Sequence, residues 1–187
     1  MRIVAGRHRG RTLIAPDGLA VRPTADRTRE AIFNVLTQGK LAGGRNPLIE
    51  ARVLDAFAGT GALGLEALSR GAARVTFMES QAAALATLRA NLEALEESER
   101  AEVLAVDVLR APPAAAPCGV VLLDPPYNQG LAAPALTALA HGGWIAPGGI
   151  IAIELMKAEA FEVPEGFEVL DQRGYGKAKV AFLTHSG

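Results

Sequence analysis

A run of four apolar residues ends on an acid, two prolines and an aromatic ring in Val120-Val121-Leu122-Leu123-Asp124-Pro125-Pro126-Tyr127. Such a set is suited to amine chemistry. An exocyclic amine on a nucleobase is a poor nucleophile, because its lone pair is delocalised into the ring. Acceptors for its N–H bonds help the nitrogen pyramidalise, and the Asp124 carboxylate with a carbonyl such as that of Pro125 would supply them. Pro125 and Pro126 hold φ and remove competing N–H donors. Tyr127 offers a flat face on which an extruded base would stack. Catalytic expectations therefore fall on Asp124, Pro125, Pro126 and Tyr127.

A second cluster is Leu54-Asp55-Ala56-Phe57-Ala58-Gly59-Thr60-Gly61-Ala62-Leu63-Gly64. Gly59, Gly61 and Gly64 match the spacing of a dinucleotide loop, and Glu79 follows where an acid can accept from ribose hydroxyls. The letters alone fit NAD, FAD or S-adenosylmethionine. Asp55 separates them. A carboxylate there would oppose a pyrophosphate at the helix N-terminus, but it suits the ammonium of a methionine tail. Asp107 closes a third predicted strand, where a side-chain acceptor would meet an adenine amino group. The expected cofactor is S-adenosyl-L-methionine, held by Asp55, Ala56, Gly59, Gly61, Glu79 and Asp107.

These groups need a scaffold that brings them to one edge. Strands are predicted at 52–56, 74–79, 102–106, 120–123 and 149–154, with helices at 61–70, 82–95 and near 131–140. This alternation predicts an α/β, Rossmann-like fold: a mostly parallel sheet covered by helices on both faces. After Leu155 the rhythm changes, and segments 167–170 and 179–183, joined by Arg173-Gly174-Tyr175-Gly176, predict a closing hairpin. Upstream, segments 2–6 and 11–15 flank Arg7-His8-Arg9-Gly10 and predict a β-hairpin with a basic tip. Thr24 is the expected N-cap of a helix carrying Ala31, Ile32, Val35 and Leu36 at helical spacing. The Gly-rich loop at 39–47 divides a basic arm, 1–40, from the body, 41–187.

Half of the 187 residues are apolar, enough for a sizeable core in one domain. The apolar runs are too short to cross a bilayer, and the basic start lacks the apolar stretch of a secretory signal. Cys118 is the sole cysteine, which excludes an internal disulfide and fits a reducing cytoplasm. His8, His141 and His185 stand singly, so no metal is expected. The net charge of −1 conceals an asymmetry: residues 1–29 carry seven arginines against two aspartates. A basic arm on an acidic body points to a polyanionic partner, with Arg7, Arg9, Arg11, Arg22 and Arg27 as its expected contacts. Phosphate contacts of this kind give affinity without sequence information.

From RIVAGRHRGRTL through RPTADRTREAIFNVL, LDAFAGTGALGLEALSRGA and LLDPPY to Tyr175-Gly176, the chain resembles the bacterial 16S rRNA guanine-N2 methyltransferases of the RsmD type. These belong to the class I S-adenosylmethionine-dependent methyltransferases. The resemblance implies a seven-stranded sheet whose last strand is antiparallel, preceded by a small β extension. It implies transfer to the N2 amine of one guanine in 16S rRNA, within an assembled or assembling 30S subunit. By the same resemblance Gly59 and Gly61 approach the cofactor, Glu79 binds its ribose, and Asp124 with Tyr127 handles the base. A cytoplasmic monomer is expected.

One departure stands out. Ser80 and Gln81 follow Glu79, where the family often has an acidic residue two positions on; this bears on a secondary contact to the adenosine. A DNA adenine-N6 methyltransferase, or an amino methyltransferase acting on another RNA, would share the same signatures. The DNA enzymes usually carry a separate target-recognition segment, and this chain shows none. A protein-glutamine methyltransferase would normally have Asn in place of Asp124. An oxidoreductase fits the glycine spacing but leaves Asp55 and the proline pair unexplained. A non-catalytic RNA-binding module would have no need of the cofactor crevice.

Overall fold

The computed structural model describes residues 1–15 and 23–187, with side chains in the first helix described from Arg27 onward. In chain order the helices are α1 (Pro23–Thr37), α2 (Ala62–Ser69), α3 (Ala82–Ala94) and α4 (Ala132–His141). The strands are β1 (Arg52–Ala56), β2 (Arg74–Glu79), β3 (Ala101–Ala105), β4 (Cys118–Leu123), β5 (Ile145–Met156), β6 (Phe167–Tyr175) and β7 (Ala178–His185). They form one sheet in the order β3-β2-β1-β4-β5-β7-β6. The β3-β2-β1-β4-β5 part is parallel, and β7 runs antiparallel to both of its neighbours.

The period of two along a strand decides which core each side chain enters. On β4, Val120 and Leu122 join a core formed with α1, α2 and α3, whereas Val121 and Leu123 join one formed with α4. On β5, Ile150 and Ala152 take the first face, and Ile151 and Ile153 the second. Strands buried on both faces read as unbroken apolar runs, as these do. The same parity carries past the strand ends. Asp55, Asp124 and Glu154 each continue the row that faces α1, α2 and α3.

The N-terminal segment forms a narrower hairpin than predicted. Arg2 and Thr12 make a single antiparallel bridge, supported by Ile3 N–H to the Arg11 carbonyl at 2.9 Å and Gly10 N–H to the Ile3 carbonyl at 2.9 Å. Its tip is exposed but tied to the body. Arg7 and His8 both pair with the buried Glu97, and the Arg11 guanidinium donates to the Ala94 carbonyl at 2.7 Å. Gly6 makes this docking possible: its φ is +80°, and a Cβ there would lie 1.9 Å from the Ser69 carbonyl oxygen. Ile3, Leu13, Ile32, Phe33 and Leu36 pack in the same core as Val53, Leu65 and Phe77. Arm and body thus share one interior.

Glu66 anchors the arm from inside the body. Fully buried on α2, it accepts from Val4 N–H at 2.8 Å, Ala5 N–H at 3.0 Å and the Arg70 guanidinium at 2.7 Å. The Arg29 guanidinium lies 3.9 Å away. A buried carboxylate is tolerable only when so many donors converge on it.

Several predicted boundaries shift. α1 opens at Pro23, so Thr24 sits inside its first turn instead of capping it; proline suits a first helical position because its missing N–H would be an orphan anyway. The third strand starts one residue early, at Ala101. β5 begins at Ile145 because Cys118 pairs with it across an irregular step, before regular pairing resumes at Val120–Ile150. Arg173, Gly174 and Tyr175 extend β6 and pair with β7, which moves the hairpin turn to Gly176-Lys177.

Replacing Glu66 by alanine leaves Arg70 and two backbone N–H groups without their acceptor, and should cost about 3–5 kcal/mol. Urea unfolding of the variant measures this; a loss within about 0.5 kcal/mol, the range of ordinary surface changes, would show that the arm is not held through Glu66.

Candidate active site

The carboxyl ends of β1, β2 and β4 open onto a crevice of about 480 Å³, as expected where ligands sit beyond the ends of parallel strands. Phe57, Glu79, Ser80, Gln81, Asp107, Leu109, Asp124, Pro125, Pro126, Tyr127 and Leu131 line it. Asp124, Pro125, Pro126 and Tyr127 form one wall as a unit. Glu79 and Asp107 join them from the ends of β2 and β3. Three carboxylates and no lysine or arginine stand among the described lining residues, so the crevice favours a cationic ligand over a pyrophosphate.

Glu79 is fixed by its own loop. One oxygen accepts from Gly59 N–H at 2.8 Å, and the other from Ser80 N–H at 2.8 Å and Gln81 N–H at 2.7 Å. A carboxylate has about four acceptor positions, which leaves one for a ribose hydroxyl. The Ser80-Gln81 departure therefore keeps the backbone donors that orient Glu79, and it brings the Gln81 side chain to the crevice. Asp107 has two tasks: it accepts from Leu109 N–H at 3.0 Å, shaping the turn, and it lines the crevice.

Asp55 departs from expectation. Although it shares Asp124's strand face, it stands inside β1 and not beyond its end, and so lies under α2, where it accepts from Gly64 N–H at 2.7 Å in full burial. Its role here is to satisfy the start of that helix. Ala56, Gly59 and Gly61 are likewise not among the lining residues, although Gly59 N–H holds Glu79. Gly61 has φ +83°, and a Cβ on it would lie 2.3 Å from the Leu88 methyl, so the turn into α2 admits only glycine.

Electrostatics unite the acids. Burial raises the Asp55 carboxyl well above the usual range, and the charges of Asp124 and Glu79 raise it further against the Gly64 hydrogen bond. Asp124 is pushed up to about 7, first by enclosure and then by the Glu154 carboxylate. Asp124 itself remains exposed to water at the crevice. Glu154 is raised by burial, against the Tyr127 hydrogen bond and the Arg29 charge.

The sequence reading missed Glu154, whose carboxylate accepts from the Tyr127 hydroxyl at 2.6 Å. Its one signal is an acid inside the buried run Ile150–Leu155. Phe57 was also missed. It lines the crevice at φ +62°, a left-handed conformation that costs a non-glycine residue about 1–2 kcal/mol, and such strain gathers at functional loops. Asn128, just beyond the proline wall, adopts φ +58°, which asparagine tolerates.

The arginine expectations divide. Arg9 and Arg27 are exposed, Arg7 and Arg11 are partly engaged with the body, and Arg22 lies outside the described residues. None of the four described ones lines the crevice.

Comparison with known proteins places this geometry in context. The family model described as Conserved hypothetical protein 95 matches residues 1–184. Ribosomal RNA small subunit methyltransferase D of Haemophilus influenzae is 38% identical over 181 residues, covering 94% of this chain and 89% of that protein. The protein of the same name from Escherichia coli K12 is 38% identical over 154 residues, covering 82% and 74%. The solved structure of yhhF from Escherichia coli superposes with a TM-score of 0.83 at 34% identity, covering 100% of this chain and 98% of that one.

A raised carboxyl holds its proton more tightly in the folded than in the unfolded chain, so it penalises folding as pH climbs from about 4 to about 7. Asp124→Asn removes that penalty. Its melting temperature should exceed that of the wild type by more at pH 8 than at pH 5; a difference that stays constant would contradict the raised affinity.

Proposed function

The chain belongs to the family described as Conserved hypothetical protein 95, and from its kinship with rRNA small subunit methyltransferases we propose that it methylates the exocyclic N2 amine of one guanine in 16S rRNA. The methyl donor in this reading is S-adenosylmethionine, and the substrate is an assembled or assembling 30S subunit. The observation that carries the reading is the wall of Asp124, Pro125, Pro126 and Tyr127 sharing one acid-lined crevice with Glu79 and Asp107.

The residues present fit the cofactor. Glu79 would take a ribose hydroxyl with its remaining acceptor position, and Asp107 with Gln81 would border the adenine. The uncompensated carboxylates suit a ligand carrying sulfonium and ammonium charge. Bound there, the cofactor supplies an electrophilic methyl group. The protein's part is placement. Asp124 and the Pro125 carbonyl accept the two amine N–H bonds, which frees the nitrogen lone pair for attack. On methylation the amine nitrogen must shed one proton. Asp124, with its proton affinity raised toward neutrality, is able to hold it. Tyr127 stacks on the ring.

RNA is held outside the crevice. Exposed Arg9 and Arg27 supply phosphate contacts in this reading, and Arg7 adds to them from its partly exposed position beside Glu97. Arg11 and the undescribed Arg22 remain candidates for the same role.

The deciding experiment offers labelled S-adenosylmethionine with under-methylated small subunits, naked 16S rRNA, DNA and protein, followed by nucleoside mass spectrometry. N2-methylguanosine from the ribosomal substrate, lost with Asp124→Ala, is the expected result. Label in N6-methyladenine would move the protein to another substrate class. Changing Arg9 and Arg27 together to alanine should weaken RNA binding uniformly across sequences. It should also reduce the salt slope by about one per arginine. An unchanged slope would place the RNA elsewhere.

A further inference from the structure

The proline wall sets the backbone beside Tyr127 but does not fix its ring. Tyr127 is 36% exposed, which leaves the ring open to the crevice. Its tip is tied down. The hydroxyl donates at 2.6 Å to Glu154, which is 9% exposed. A hydrogen bond onto a carboxylate is stronger and more directional than one between neutral groups.

The location of this acceptor follows from the sheet. Leu123 pairs with Ile153, so the next residues, Asp124 and Glu154, stand side by side and face the same way. Ile150, Ile151, Ala152, Ile153 and Leu155 are all buried and apolar, and Glu154 alone interrupts them with a charge. Packing alone would favour another apolar residue, because burying a carboxylate is costly unless a partner uses it.

The neighbouring acids are used differently. Asp124 lines the crevice, whereas Glu154 is committed to Tyr127 and does not line it. Arg29, buried on α1, favours the ionised form of Glu154 and also donates to the Arg2 carbonyl at 2.7 Å. The arm thus reaches the acid from behind.

We propose that Glu154 is a positioning residue for methyl transfer: it anchors the Tyr127 hydroxyl and so fixes the ring plane on which the target base stacks beside Asp124. The proposal deepens the reading of this wall as the base site and rests on it. Because Glu154 acts through one hydroxyl, removing either partner forfeits the same interaction.

The test is a double-mutant cycle on under-methylated small subunits, comparing wild type, Glu154→Ala, Tyr127→Phe and the double variant, with Glu154→Gln as the conservative replacement. Glu154→Ala should lower kcat roughly 10- to 100-fold with the KM for the subunit little changed, since arm contacts set RNA binding. Tyr127→Phe should give a similar loss, and the double variant should be no worse than the poorer single one. Glu154→Gln keeps an acceptor oxygen and should recover most of the rate. Additive losses, or a glutamine variant as poor as alanine, would overturn the proposal.

A second readout needs no turnover. With both tyrosines replaced by 3-fluorotyrosine, one of the two 19F resonances should shift and narrow in Glu154→Ala but not in Glu154→Gln. Unchanged spectra would refute the anchor even if activity fell. A wild type that transfers no methyl group to subunits, yet shows the expected spectra, would sink the proposed reaction and leave the anchor standing.

Discussion

Negative charge gathered at the carboxyl ends of parallel strands is the constraint on which the rest of this structure turns. Asp55, Glu79, Asp124 and Glu154 all stand at that edge, on β1, β2, β4 and β5 or one residue past them. Low-dielectric surroundings and mutual repulsion push three of them upward. Each is tolerated through a different partner. Asp55 takes the Gly64 N–H, Glu79 takes three backbone donors and Glu154 takes a phenol, whereas Asp124 lines the crevice beside Glu79.

The arm answers the same constraint from the other side. Its hairpin docks through Glu66, Ser69 and Glu97, three buried side chains of the body that accept from backbone or cationic groups of residues 4–8. Arg29 continues this contact inward, meeting Glu66 and lending positive charge to Glu154. Part of the arm's positive charge therefore stabilises the fold and is not available to a partner. What remains outward is smaller than the composition suggests, with Arg9 and Arg27 its clearest members.

The sheet was legible because its signals are local. Apolar runs, glycine punctuation and helical spacing located β1 and β2 to the residue, and the other elements to within a few residues. The Asp124–Tyr127 wall, Glu79 and Asp107 were legible because the ends of parallel strands converge on one crevice. Asp55 misled because its type and spacing suited a ligand, while its place inside β1, short of the strand end, gave it to Gly64. That depth is readable only once it is known where α2 begins. Glu154, Glu66 and Glu97 were missed for a common reason: the partners that tie each across the fold lie 27, 62 and 90 residues away along the chain, and no local pattern encodes such pairings.

Charge separation also limits how a nucleic acid can approach. The crevice floor is acidic, and a phosphate backbone entering it would meet Glu79, Asp107 and Asp124 without a compensating cation among the described lining residues. The outward arginines sit on the arm, outside that lining. In the proposed reading a polyanion would be held at the arm and repelled at the floor, so that only an uncharged part of it would cross between them. A nucleobase is such a part. Extruding a base costs stacking energy, which the Tyr127 ring can return in kind, while the backbone stays where the field favours it. The same acids that would exclude phosphate would attract a cationic methyl donor. In the proposed reading one charge distribution thus sorts the two reactants before any specific contact is made.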